Sequence, residues 1–295
     1  GLRGKGVLRY LAMPFILFRA LVQGIGVVRR ERPDALLGMG GFAAGPGAVS
    51  GWLLRRPLVI HEANASAGLT NRLLAPLAQR VLCGFPGTAG LPARAEWTGN
   101  PVREQIRVRG WGDGEVRPLR LLIVGGSLGA RVFNRELPAM LAALVADGTL
   151  EVRHQCGRGN REDVASRYRE AGVAVAVDEF IEDMGDAYQW AELVICRAGA
   201  MTVTELCIAG LPAVLVPFPF AAGDHQTANA RHLAERDAAV LMPQQTLDTN
   251  RLQSLLRQFA SDRDRLGAMA ARARELARPD ATEQVASACL EVMHA

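Results

Sequence analysis

The sequence predicts an α/β protein with two doubly wound parallel sheets, and three observations lead to that fold class. Short apolar runs recur along the chain, each run ends in glycine or a polar turn, and helical segments follow most of them. The 295 residues suffice for about two domains, and 49% of them are hydrophobic, enough for a sizeable core. Strands that alternate with helices form parallel sheets with helices on both faces.

The apolar runs predict four strands in the first half of the chain and six in the second. Those of the first half, from residue 34 to 99, are DALLGMGG, PLVIHEA, RVLCGF and AEWTGNP. Those of the second half, from residue 120, are RLLIVGG, EVRHQCG, VAVAVDEFI, LVICRAG, PAVLVPFP and AAVLMP. The glycine-rich and charged segment 107–118 lies between the two sets, and we predict that it is a linker or surface loop.

The beginning of the chain predicts a helix that starts near Pro14, a residue suited to a first turn. Arg19, Gln23 and Arg30 share one narrow arc of this helix, so almost all of the remaining surface is apolar. No uncharged stretch there exceeds nine residues, well short of the roughly 20 that span a bilayer. Two interpretations stay open: a helix buried between neighbours, or a surface helix that lies on anionic lipid.

Composition argues against several other classes of protein. The net charge of +4 comes with only 5% aromatic residues and no basic run interleaved with aromatics, so nucleic acid is not an expected partner. The five cysteines form no C-x-x-C pair, which predicts buried thiols in a reducing compartment. The histidines show no metal-ligand spacing, and we expect neither a metal nor a cofactor.

Two turns of the second half predict an anion-binding site. GGSLGA, at 125–130, and RAGAMTVTE, at 197–205, each follow a strand and begin a helix, whose free N–H groups attract anions. Glu205, three residues after Thr202, either completes a capping box or accepts the hydroxyl groups of a ribose. The segment GDHQTANA, at 223–230, either binds sugar hydroxyls or holds the ordinary polar residues of a helix start.

GGSLG also fits the nucleophile elbow of a serine hydrolase, with Ser127 as the nucleophile. Such an enzyme needs an acid and a histidine downstream, which Asp224 and His225 could supply. Those two residues are adjacent, an awkward arrangement for an acid that must orient the imidazole. The hydrolase hypothesis also leaves Glu205 and Arg103 without a role, so it is the weaker alternative.

Eight blocks in order resemble the MurG family of glycosyltransferases, within glycosyltransferase family 28. They are GLRGKG, GMGGFAAGPG, HEANASAGLTNRLLA, GNPVR, VGGSLGAR, CRAGAMTVTE, DHQTANA and PDATEQVA. The resemblance covers essentially the whole chain and implies inverting transfer of N-acetylglucosamine (GlcNAc) from UDP-GlcNAc to lipid I. It implies the GT-B fold, two Rossmann-like domains facing a cleft: an acceptor domain at 1–101, with 278–295 packed back on it, and a UDP-GlcNAc domain at 102–277.

The resemblance also implies roles in holding the nucleotide. Glu205 would hold the ribose, and Ile181 would face the uracil. Ser127 and the turn 200–204 would hold the diphosphate, with Arg103 beside it.

For the donor sugar, the resemblance implies contacts from Gln226, Asn229 and Asn64. The complete set of implied substrate-binding residues is Asn64, Arg103, Ser127, Ile181, Ala200, Met201, Thr202, Val203, Thr204, Glu205, Gln226 and Asn229.

Family members begin with a strand and a glycine-rich loop that ends in histidine, and no block of this sequence corresponds to that loop. We therefore expect an incomplete first domain, with the general base upstream of residue 1. The alternative is a nucleotide-sugar binding module without activity. The resemblance further implies a peripheral protein on the cytoplasmic face of the bacterial inner membrane, with residues 7–28 on the anionic leaflet.

Overall fold

The structure is a computed structural model that describes residues 7–110 and 117–293. Contacts divide the chain into two compact units. Unit 1 comprises Gly1–Asn100 with Asp280–Ala295, and unit 2 comprises Pro101–Pro279. The block GLRGKG and residues 111–116 of the predicted linker lie outside the described residues; the described ends of that linker contain neither helix nor strand.

Unit 1 is built on a four-stranded parallel sheet in the order β1-β2-β3-β4. The strands are β1 (Leu36–Gly38), β2 (Leu58–Glu62), β3 (Arg80–Cys83) and β4 (Glu96–Trp97). The helices are α1 (Val7–Glu31), α2 (Ala44–Leu53), α3 (Leu69–Leu74) and a C-terminal helix, Ala281–Met293.

Strand β2 is buried along its whole length because helices cover both faces of the sheet. Successive side chains of a strand point to opposite faces. Leu58 and Ile60 accordingly pack into a cluster with Ala48 of α2. Val59 packs on the other side against Val285 of the C-terminal helix. The C-terminal helix thus contributes to the core of unit 1.

Helix α1 begins at Val7, so the prediction that it starts near Pro14 is wrong. It packs against α2 along one narrow side, where a Cβ on Gly24 would lie 2.5 Å from the Ser50 hydroxyl oxygen. Of its described side chains only Val28 is buried, so the helix is not enclosed between neighbours. None of the described helices is long and apolar enough to cross a membrane.

Unit 2 is a six-stranded sheet in the order β10-β9-β8-β5-β6-β7, and every pairing is parallel. Its strands are β5 (Leu119–Val124), β6 (Leu150–Gln155), β7 (Ala176–Asp178), β8 (Leu193–Cys196), β9 (Ala213–Leu215) and β10 (Ala239–Leu241). Its helices are α4 (Arg131–Ala146), α5 (Arg161–Glu170), α6 (Met184–Trp190), α7 (Ala200–Ala209), α8 (His225–Ala234), α9 (Thr249–Ser261) and α10 (Arg263–Glu275).

All ten predicted strands are present, and the predicted α/β class with two parallel sheets is confirmed. The order of strands in unit 2 is that of the doubly wound dinucleotide-binding fold. The direction of winding reverses between β5 and β8, which are hydrogen-bonded neighbours. Ligands of such sheets bind in the crevice at this switch point, beyond the carboxyl ends of the strands.

A buried glutamate lies at the amino ends of the strands of unit 2, opposite the switch-point crevice. Glu192, just before β8, is 7% exposed, and its carboxylate accepts the backbone N–H of Arg120 at 3.1 Å. Its carboxylate oxygens lie 4.0, 3.4 and 3.3 Å from guanidinium nitrogens of Arg109, Arg117 and Arg263. One carboxylate therefore compensates several partly buried cations.

We expect Glu192→Ala to lower the free energy of unfolding by about 3 to 5 kcal/mol, because it leaves one buried and two partly buried guanidinium groups without their counter-charge. Urea unfolding at neutral pH measures this loss. The matched control is Glu151→Ala, whose half-exposed carboxylate pairs with Arg120 at 3.4 Å and contributes about 0 to 1 kcal/mol. Equal losses in the two variants would contradict the role of Glu192 as the counter-charge of these cations.

Candidate functional site

The two predicted anion-binding turns lie side by side at the switch point. GGSLGA follows β5, residues 197–199 follow β8, and the ends of these strands pair as Val124 with Cys196. Within the described residues, neither α4 nor α7 has a side chain that caps its N-terminus or an acid in its first turn. Their first N–H groups are therefore available to an anion, and the helix dipoles favour one.

Close backbone packing fixes the shape of the GGSLGA turn. Gly126 and Gly129 have φ of 81° and 75°, in the left-handed region that favours glycine. A Cβ on Gly129 would lie 2.1 Å from the Cys156 carbonyl oxygen, so only glycine fits there. The Gln155 side chain accepts the Gly126 N–H at 2.9 Å and donates to the carbonyls of Gly126 and Glu179 at 3.0 and 2.7 Å. This amide ties the turn to the segment after β7.

Ser127 is exposed in this turn and does not have the geometry of a nucleophile. Its φ is not positive, so it lacks the strained backbone of an elbow. Its hydroxyl makes no hydrogen bond to an imidazole among the described residues. The Asp224 carboxylate accepts from the Thr227 hydroxyl at 2.6 Å. The serine-hydrolase alternative therefore has no support in the geometry.

Glu205 does not form a capping box, so that interpretation is wrong. Helix α7 begins at Ala200 with Gly199 as its N-cap, one turn earlier than a cap at Thr202 requires. The Glu205 carboxylate instead accepts from the Tyr188 hydroxyl at 3.0 Å. The small residues of the turn allow the helix to start directly after the strand, and this places Glu205 in the second turn.

Burial raises the pKa of Glu205 above its usual value of 4.5, while the Tyr188 hydroxyl and the charge of Arg103 act in the opposite direction. A half-buried carboxylate with one neutral partner is electrostatically unfavourable until a ligand supplies further donors. Two adjacent hydroxyl groups, as on a ribose, would supply them. Perturbed groups of this kind cluster at functional sites.

We expect Glu205→Gln to stabilise the ligand-free protein at neutral pH, because it removes a desolvated charge. Below the unfolded-state pKa the parent carboxyl is neutral in both states, and the two proteins should melt alike. As the pH rises through and above the raised folded-state pKa, the parent should become the less stable protein. Melting temperatures of both proteins from pH 4 to pH 8 test this, and a parent that gains stability over the variant as the pH rises contradicts it.

A cavity of about 560 Å³ opens beside these turns, at the carboxyl ends of β5, β8 and β9. Gln226 lines it, and the Gln226 side-chain oxygen accepts the backbone N–H of Phe218 at 2.8 Å. Asn229 is fully buried and donates to the Ala198 carbonyl at 3.1 Å, so it fixes the turn before α7. The cavity also includes Gly125, Gly129 and Ala130 of the first turn, but Ser127, Ile181 and Glu205 are not among its lining residues.

The structure separates the residues of the turn 200–204 into two groups. Val203 is fully buried and donates its N–H to Gly199, and the buried Thr204 hydroxyl donates to the Ala200 carbonyl. Both residues belong to the core of unit 2 rather than to an anion site. Of this turn, only Ala200, Met201 and Thr202 offer first-turn N–H groups.

The remaining predicted site residues lie in both units. Ile181 is 8% exposed and follows β7, beyond the segment that Gln155 holds. Arg103 is exposed in unit 2. Asn64 lies at the end of β2 in unit 1, where its backbone and side-chain N–H groups donate to the buried carboxylate of Glu62 at 2.9 and 3.1 Å.

Sequence reasoning did not single out three residues that organise the site: Gln155, Tyr188 and Arg197. Gln155 and Arg197 are the polar residues at the ends of two predicted strands, and that position was an available signal. Tyr188 lies inside α6 and reaches Glu205 only through tertiary packing.

Two family models match the chain and decide its family. The model described as the glycosyltransferase family 28 N-terminal domain matches residues 1–83, and that of the C-terminal domain matches residues 120–285. The chain belongs to glycosyltransferase family 28. The residues matched by the C-terminal model include both anion-binding turns and the lining of the cavity.

Two similar proteins share one name. UDP-N-acetylglucosamine--N-acetylmuramyl-(pentapeptide) pyrophosphoryl-undecaprenol N-acetylglucosamine transferase from Marinobacter nauticus is 52% identical, over 99% of this chain and 81% of its own. The protein of that name from Alkalilimnicola ehrlichii is 56% identical, over 99% and 82%. A crystal structure of MurG from Acinetobacter baumannii superimposes with a TM-score of 0.83 at 39% identity, over 94% of this chain and 79% of that one. The resemblance to the MurG family is confirmed.

Proposed function

We infer that this family 28 chain is a UDP-GlcNAc-dependent transferase that moves GlcNAc to the 4-hydroxyl of the N-acetylmuramyl sugar of lipid I, in peptidoglycan synthesis. One observation supports this most directly: a half-buried carboxylate, Glu205, lies in the second turn of α7, and α7 and α4 begin with uncapped N-termini after the paired strands β8 and β5. That combination offers a hydroxyl acceptor next to a diphosphate cradle. Two relatives that carry the transferase name, 52% and 56% identical to this chain, support the same conclusion.

In the proposed reaction the acceptor hydroxyl attacks the anomeric carbon of GlcNAc directly and gives its proton to a general base, while UDP leaves with both electrons of the broken bond. The configuration at that carbon is inverted. The departing diphosphate gains negative charge, which the N–H groups at the starts of α4 and α7 are placed to stabilise. Arg103, whose charge acts on Glu205, adds a cation to the same edge of unit 2. These groups supply the stabilisation that the leaving group needs.

Under this proposal unit 2 carries the donor nucleotide and unit 1 the acceptor. Glu205 would hold the ribose, and the turns before α4 and α7 would hold the diphosphate. The segment around Ile181 would hold the uracil. Gln226 would contact the sugar from the cavity. Contacts of Asn229 and Asn64 with the donor sugar remain predictions. In the structure the Asn229 side chain donates to the Ala198 carbonyl, and the Asn64 side chain donates to Glu62.

We expect titration calorimetry to show that the parent chain binds UDP-GlcNAc and that Glu205→Ala loses about 2 kcal/mol or more, roughly a thirtyfold weaker Kd. Two charge-assisted hydrogen bonds to ribose hydroxyls are removed in the variant. Glu235→Ala, which removes an exposed acid at the end of α8, is the matched control. Circular dichroism of each variant checks the fold. Equal affinity of parent and Glu205→Ala would contradict the assignment of the ribose site.

We further propose that unit 1 contacts the cytoplasmic leaflet of the membrane, as a peripheral protein. Phe15 and Phe18 of α1 are 69% and 65% exposed, and Trp52, on the neighbouring α2, is 46% exposed. Monomeric proteins rarely leave such apolar surfaces uncovered. Exposed cations, among them Arg19 and Arg30, lie on the same helix and would attract anionic headgroups.

Arg19→Glu combined with Arg30→Glu should reduce cosedimentation with vesicles that contain anionic lipid, because each cation near such a surface contributes about 1 kcal/mol. The control is the pair Arg231→Glu and Arg251→Glu, which makes the same change of charge on exposed residues of unit 2. Binding that falls equally in both pairs would mean that net charge, and not α1, determines the association.

A further inference from the structure

Arg197 directly follows β8 and is the first residue of the anion-binding turn that leads into α7. Its Nη1 donates to the carbonyls of Val216 and Pro217 at 3.0 and 3.1 Å, and its Nη2 donates to the Gln244 side chain at 2.8 Å. The guanidinium therefore joins the end of β8 to the segments that follow β9 and β10.

Two aromatic rings flank the same guanidinium. Its central carbon lies 4.9 Å from the ring centroid of Phe133, in α4, and 5.4 Å from that of Phe218, in the loop after β9. Cations are attracted to the faces of aromatic rings. Among the described residues, Arg197 has no carboxylate partner in an ion pair. Its planar, forked shape is thus used to connect backbone segments rather than to neutralise an acid.

The loop that Arg197 holds also orients Gln226. Phe218, next to Pro217, donates its backbone N–H to the Gln226 side-chain oxygen at 2.8 Å. An N–H can pair only with the oxygen of an amide, so this contact fixes which end of Gln226 is engaged. None of the described residues accepts from the two N–H donors of the Gln226 side chain, so these donors can serve a ligand in the cavity that Gln226 and Arg197 both line. Sugar hydroxyl and acetamido oxygens accept such donors.

We propose that Arg197 is a positioning residue for the donor sugar: it holds the loop after β9 so that Gln226 presents its amide donors to the GlcNAc group. The inference rests on the proposed function, because it requires UDP-GlcNAc in this cavity. Arg197 acts through the chain of contacts from its Nη1 to the Val216 and Pro217 carbonyls, and from the Phe218 N–H to Gln226.

A double-mutant cycle on the affinity for UDP-GlcNAc tests the proposal. Gln226→Ala should weaken binding about three- to tenfold, the net worth of a hydrogen bond. Arg197→Lys keeps the charge but loses the fork, and it should weaken binding to a similar extent. The double variant should be no weaker than the stronger single variant, because both changes remove the same contact. All three should bind UDP as the parent does.

The other possible results contradict either the positioning role of Arg197 or the proposed function. Losses that multiply in the double variant, parental affinity in Arg197→Lys, or an unaffected Gln226→Ala would each overturn the positioning role. A loss of UDP affinity equal to that of UDP-GlcNAc would make Arg197 a general structural residue and also overturn it. A parent that binds neither UDP nor UDP-GlcNAc would contradict the proposed function itself.

Two further variants keep the test decisive if Arg197→Lys does not fold, as judged by its melting temperature. Gln244→Ala removes only one of the three hydrogen bonds of the guanidinium. It should cause a smaller loss that disappears in the Gln226→Ala background, and a loss that persists there would overturn the proposal. Arg236→Lys, an exposed change at the far end of α8, is the matched control and should leave both affinities unchanged.

Discussion

The parallel pairing of β5 with β8 is the constraint on which the site in unit 2 depends. The winding of the sheet reverses at this pair. The chain therefore leaves the two neighbouring strands at the same edge, and two helix N-termini begin next to each other. The first backbone N–H groups of the two helices have no partner among the described residues. They meet at this edge because of topology, before any individual side chain is considered.

Residues around that edge hold groups in positions that are unfavourable without a ligand. Glu205 keeps a desolvated carboxylate against one neutral hydroxyl, and the starts of α4 and α7 lack caps. Selection for stability alone would remove such features. At the starts of α6, α9 and α10, for example, an aspartate side chain caps the helix. The starts of α5 and α8 also lack side-chain caps. The signature of binding is therefore the combination of two uncapped helix starts after the paired strands β5 and β8 with the desolvated Glu205 carboxylate.

Three polar side chains hold the turns and Glu205 at this edge by hydrogen bonds, although none of the three is a predicted binding residue. Gln155 connects the first turn to the segment after β7, Tyr188 engages Glu205, and Arg197 connects the second turn to the loops after β9 and β10. Each uses hydrogen bonds of ordinary length inside unit 2. Groups held in place before the ligand arrives lose little entropy on binding, which favours both affinity and rate.

The sequence by itself determined the fold class, all ten strands and the two turns, because apolar periodicity and glycine report local backbone geometry. It also placed Glu205 and Gln226 near the starts of helices that follow strands. Only the tertiary structure decided between the capping box and an open carboxylate, because that choice depends on where α7 begins and on Tyr188, 17 residues away. Tertiary packing likewise exposed α1, buried Val203 and Asn229, and gave Arg197 its partners, since all of these depend on contacts between segments distant in the chain.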